Sequence, residues 1–176
     1  MPLTRRTLIK AGAIGAGALT VAGAYGAWRL RGCMAPDTAL SPEGRALFAA
    51  MIPAFLDGMV APGAWTPATM SATLGGVDRT VAALSPTARA ELQQLACLLD
   101  QGAARLLLAG SWTPWASVTP DDARHVLQRW RFSRTPMLVS AYQALHDITF
   151  ATWYAEPANW AATGYPGPPR FTESAS

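Results

Sequence analysis

The chain has 176 residues, with 14 basic and 11 acidic side chains and a formal net charge of +3. Five of the basic residues (Arg5, Arg6, Lys10, Arg29 and Arg31) precede Cys33 and no acidic residue does, so from Cys33 onward nine basic residues face eleven acidic ones, a net of −2. That balance gives no electrostatic reason to bind nucleic acid, whatever the overall pI near 9.2 suggests, and the roughly 140 residues beyond Cys33 suffice for one domain with one core.

Thr4-Arg5-Arg6-Thr7-Leu8-Ile9-Lys10 opens the chain, and Ala11 to Trp28 follows without a charged residue. Paired arginines, an apolar Leu8 and a Lys10 form the pattern of a twin-arginine export signal. The apolar stretch contains five glycines and few large side chains, which makes a weak spanning helix, since a span needs about 20 apolar residues. The expectation is a cleavable signal over residues 1–33, with a retained inner-membrane anchor as the alternative. Ala22-Gly23-Ala24 is one cleavage candidate. Leu30-Arg31-Gly32-Cys33 has the outline of a lipoprotein box, except that Arg31 stands where a small residue is expected.

Beyond the signal, Ser41-Pro42, Ser85-Pro86, Thr119-Pro120 and Thr135-Pro136 each set a hydroxyl before a proline. The hydroxyl can accept from a free N–H of a first helical turn, and the proline sits where its missing N–H is not needed. Helical periodicity follows each of them. The first helix is expected over Pro42–Asp57, with Leu47, Phe48, Met51, Ile52 and Phe55 on its apolar face and a kink or an end at Pro53. After a loop bearing Gly58, Pro62 and Gly63, a second is expected over Met70–Leu84, weakened by Gly75-Gly76. The third is expected to run unbroken over Pro86–Leu108, with Leu92, Leu95, Ala96, Leu99, Ala103 and Leu106 as one stripe. A fourth covers Pro120–Ser133, its Asp121 and Asp122 placed at the positive end of the helix dipole and Ala123, Val126, Leu127 and Trp130 facing inward. The fifth covers Pro136–Tyr154 and buries Leu138, Ala141, Tyr142, Leu145, Ile148 and Thr152. No segment alternates with period two. The expected fold is all-α: a single bundle of about five helices over residues 34–176, ending in an extended Pro/Gly-rich tail.

Catalytic and metal signals are sparse. His125 and His146 are the only histidines, and neither has a ligand-type residue four positions on. His146 adjoins Asp147, a spacing at which helical side chains do not face each other. There is no G-x-S-x-G and no C-x-x-C-H. The chain itself is expected to hold no catalytic, cofactor or metal site. Cys33 and Cys97 are the only cysteines. They can bridge to each other or to a partner chain in an oxidising compartment, or Cys97 can be a small buried hydrophobe. Tryptophan is the conspicuous resource. Trp130 and Trp153 read as core, whereas Trp65, Trp112 and Trp115 lie in loops, as lids over the bundle or as anchors for a partner.

The tail runs Trp153-Tyr154-Ala155-Glu156-Pro157-Ala158-Asn159-Trp160, then Gly164-Tyr165-Pro166-Gly167-Pro168-Pro169. Its aromatic pair, proline, tryptophan and Gly-Tyr-Pro-Gly-Pro resemble the C-terminal signature of the gluconate 2-dehydrogenase subunit 3 family. This family includes the small gamma subunits of FAD-dependent sugar and alcohol dehydrogenases. Asp78 with Leu84-Ser85-Pro86, and Asp122-Ala123-Arg124 with Leu127, Trp130 and Ser133, extend the likeness over most of the chain. Gly110-Ser111-Trp112-Thr113-Pro114-Trp115 replaces the phenylalanine-rich stretch that the family carries before the fourth helix.

The resemblance implies a non-catalytic accessory subunit with no cofactor of its own. It would escort and stabilise a flavoprotein dehydrogenase of the glucose–methanol–choline type, with FAD in that partner and a multihaem cytochrome c as a further member. It implies export of the folded pair by the twin-arginine translocase to the periplasm, with inner-membrane association through the signal or the complex. Trp65, Trp112, Trp115, Trp160, Gly164, Tyr165, Pro166, Gly167 and Pro168 are the candidates for partner contact. A stiff Pro/Gly-rich tail loses little entropy on docking; it can equally wrap its own bundle. The alternatives are a free-standing periplasmic helical binding protein, or a small enzyme using His146 or His125.

Overall fold

A computed structural model describes residues 40–61, 63–160 and 164–167. The described chain is all-α. Six helices follow one another: α1 (Pro42–Phe55), α2 (Pro67–Ala82), α3 (Pro86–Asp100), α4 (Gly102–Ala109), α5 (Pro120–Arg131) and α6 (Pro136–Ala155). Single 3-10 turns at Trp115–Ser117 and Pro157–Asn159 lie between α5 and its predecessor and after α6.

Hydroxyl caps start four of these helices. Ser41 Oγ accepts from Gly44 N at 3.1 Å, Ser85 Oγ from Ala88 N at 3.2 Å and Thr119 Oγ1 from Asp122 N at 3.2 Å. The fourth is Thr66-Pro67, where Thr66 Oγ1 accepts from Thr69 N at 3.1 Å, so α2 begins earlier than its apolar spacing indicates. Thr135 makes no such bond, although Pro136 still opens α6. There Ser133 Oγ accepts from Thr135 N instead, at 3.0 Å, and shapes the turn before the helix. Pro53 sits one turn from the end of α1, which stops two residues later.

The long third helix expected from the sequence is two helices. Gln101 adopts extended backbone (φ −74°, ψ 123°) between α3 and α4. The break turns α4 about its axis, so Ala103 and Leu106, expected on the buried stripe, are exposed, and Arg105 and Ala109 are buried in their place. The Arg105 guanidinium makes this arrangement possible. It donates to the carbonyls of Leu99 (3.4 Å), Asp100 (2.8 Å) and Trp112 (3.1 Å), capping the C-terminal end of α3. α4 ends at Gly110, whose φ of 70° is the left-handed conformation favoured at a helix C-terminus.

α1 lies at the centre of the bundle. It packs against α2, α3, α5, α6 and the Trp115 turn, while α6 packs mainly on α2 and α5 and α3 on α4. Leu47, Phe48, Met51, Ile52 and Leu56 are all fully buried, and Val77, Val81, Leu99, Trp130 and Leu145 close around them. Gly76 is where α2 and α6 come closest: a Cβ there would lie 2.6 Å from Thr152 Cγ2. Beside it the Thr80 and Thr152 hydroxyls share a hydrogen bond of 2.8 Å. The Gly75-Gly76 pair thus does more than weaken a helix. Arg45 of α1 pairs with Asp78 of α2, and Arg124 of α5 bridges Asp57 and Asp121 at 2.9 and 2.7 Å.

Candidate interaction surface

α6 carries an aromatic ladder. Tyr142, His146, Phe150 and Tyr154 recur every four residues, the spacing that stacks side chains up one helical face. Consecutive ring centroids lie 5.7, 4.5 and 6.3 Å apart. Phe55, at the end of α1, leans on Tyr142 and His146 at 5.7 Å each and on Phe150 at 6.5 Å. Tyr142, His146 and Phe150 are half-buried and Tyr154 is exposed, so the ladder is a surface of rings seated on the core rather than part of its interior.

The tail extends the ladder. Tyr165 meets Tyr154 edge-on at 6.3 Å and Trp160 at 5.4 Å. Trp160 Nε1 donates to the Tyr154 carbonyl at 2.7 Å, and Tyr165 N donates to the Trp160 carbonyl at 3.1 Å. Gly164 and Gly167 have φ of 68° and 94°, which allows the reversal. A Cβ on Gly167 would stand 2.7 Å from the Trp160 ring. The described part of the tail, Gly164 to Gly167 with Pro166 between them, therefore lies over its own bundle, while the Tyr165 ring stays partly open to solvent. Pro168 lies outside the described residues, as do Arg5, Arg6, Leu8, Lys10 and Cys33.

The three loop tryptophans have separate environments. Trp115 is a core residue, not a surface anchor: it is 2% exposed and its Nε1 donates to the Leu99 carbonyl at 3.0 Å. Trp65 is half-buried and rests on Trp153 at 6.2 Å. Only Trp112 projects, at 63% exposure, with one edge of its ring covering Gly102. Trp130 and Trp153 are buried as expected. Trp130 Nε1 donates to the Leu108 carbonyl at 2.8 Å.

His125 is exposed. His146 does engage its neighbour: Nδ1 lies 2.9 Å from Asp147 Oδ1. The short carboxylate and the ring reach sideways over the helix surface, which the facing rule for helices does not capture. Among the described residues no three His, Cys, Asp or Glu side chains converge as a metal site would require, and none of their helices is long and apolar enough to cross a membrane. Cys97 is buried on α3 and disulfide-bonded, not a free thiol. Two features escaped the sequence reading. Arg105, a charge on an apparent apolar helix, gave no signal of burial. The other is the aromatic ladder of α6: of its four rings the apolar face expected for this helix includes only Tyr142, which is half-buried. The chain matches no family model, and neither a curated protein nor a solved structure similar to it was found.

Proposed function

We propose that this chain is a non-catalytic helical subunit that escorts a flavin-dependent dehydrogenase of the glucose–methanol–choline type across the inner membrane and stabilises it in the periplasm. The observation that carries the reading is the aromatic surface. Tyr154, Trp160 and Tyr165, residues that bear the resemblance to the dehydrogenase small subunits, join the Tyr142–Tyr154 ladder in one connected face. Large rings seated on a rigid helix lose little side-chain entropy on docking and supply most of their area at once, which is what protein interfaces select. The Arg5-Arg6-x-Leu8-x-Lys10 signal belongs to the same reading, since its pathway carries folded cargo.

The test is co-purification. A C-terminally tagged chain is expressed in its native host, recovered from the periplasm and examined by absorption spectroscopy. The expected result is a yellow complex holding FAD in a second polypeptide of dehydrogenase size. A colourless single chain in high yield would refute the escort role.

A further inference from the structure

We propose that the groove between α3 and α6 receives an amphipathic helix of the partner, one whose apolar ridge is flanked by lysine or arginine. The proposal rests on the accessory-subunit reading and adds a second contact beside the aromatic face. α3 packs mainly on α1 and α4, whereas α6 packs mainly on α2, α5 and α1, so the two helices flank α1 with little contact between them. The space left between them is a groove of about 460 Å³. Leu92 and Leu95 on one wall and Ala144 and Ile148 on the other line it, and the alanine lets an incoming backbone come close.

Both walls are helical rows at three- and four-residue spacing, the relief into which the ridges of a third helix fit. The α6 wall extends from Met137 to Ile148, which is about 16 Å at 1.5 Å per residue, or some three helical turns. Met137 at one end is itself half exposed.

Charge selects the occupant. Among the described residues, the ionisable ones lining the groove are Glu91 and Asp147, one on each wall and both carboxylates. Asp147 is well exposed and shares one oxygen with His146; among the described residues no basic side chain lines the groove. A second copy of this chain, docked by a two-fold axis, would set these carboxylates against their own duplicates. A cationic helix from a different protein instead finds an apolar floor between two acidic rims.

The experiment uses the full chain in its native host. Ala144→Trp fills the groove, and the Glu91→Lys/Asp147→Lys pair reverses its rims; all three positions are exposed, and circular dichroism with thermal melting confirms that each variant folds. The flavin retained per tagged chain should fall at least tenfold in both. A photo-crosslinking residue at position 144 should attach to a helical peptide of the flavoprotein that carries lysine or arginine beside its apolar face. Wild-type retention of flavin by both folded variants would overturn the groove as docking site and leave the escort reading intact. A wild-type chain recovered without flavoprotein would overturn both. A wild-type homodimer that Ala144→Trp converts to monomer would assign the groove to self-association and overturn the proposal.

Discussion

Replacing Arg105 by methionine keeps most of its stem and removes the guanidinium, leaving the carbonyls at the end of α3 without their donor. Hydrogen bonds to charged groups contribute about 1.5–3 kcal/mol each, and unpaired buried acceptors add to the loss. Arg105→Met should therefore destabilise the bundle by about 2–4 kcal/mol in urea unfolding, while an arginine bound only by surface charge would cost less than about 1 kcal/mol. The tryptophans separate in the same assay. Trp115→Ala empties a core position and should cost about 3–5 kcal/mol. Trp112→Ala, at an exposed site, should change stability by about 0.5 kcal/mol or less, so a loss of flavoprotein on that substitution would report contact rather than folding. Cys97 should resist alkylation in the unfolded, unreduced protein and become labelled only after reduction, a difference that mass spectrometry reads directly.

At the scale of the elements, most helix starts were legible because a hydroxyl before proline has one main physical use: of the four expected, Ser41, Ser85 and Thr119 cap their helices and Thr135 does not, while Thr66-Pro67 adds a cap that was not expected. The contrast between Ser85 and Thr135 turns this into a measurement. Ser85→Ala should cost about 1 kcal/mol, the usual worth of a hydroxyl cap, whereas Thr135→Ala, which loses no cap bond, should be near neutral. The inward faces of α1 and α5 were equally legible from their apolar spacing. The break at Gln101 was not. Leucine and alanine continue at helical spacing on both sides of it, and the stabilising contact comes from a side chain four residues further on bonding backwards to carbonyls. Such a contact leaves no periodic trace. Gly76 was visible but misleading, since its cost to helix propensity is local and its benefit is tertiary. Gly76→Val should push Thr152 away, separate α2 from α6 and lower stability by about 1–3 kcal/mol, seen as a drop in melting temperature.

Across the molecule, the all-α class was legible from pattern alone. The surface that matters for the proposed role was only partly readable. The rings of the ladder are ordinary core-type residues, and whether such a ring faces the interior or the solvent depends on how α1 and the tail lie against α6. The groove was not readable at all, because it lies between two helices that are distant in sequence and pack mainly on other elements.

α1 is synthesised long before α6, and yet α6 is one of the elements that cover it. Until the ribosome has released Pro136 onward, Phe55 at the end of α1 lacks Tyr142, His146 and Phe150, the rings it rests on. An unfinished or truncated chain is therefore sticky in a way the complete one is not. Under the proposed export of a folded pair, the closing of the bundle by α6 would be the step that precedes release.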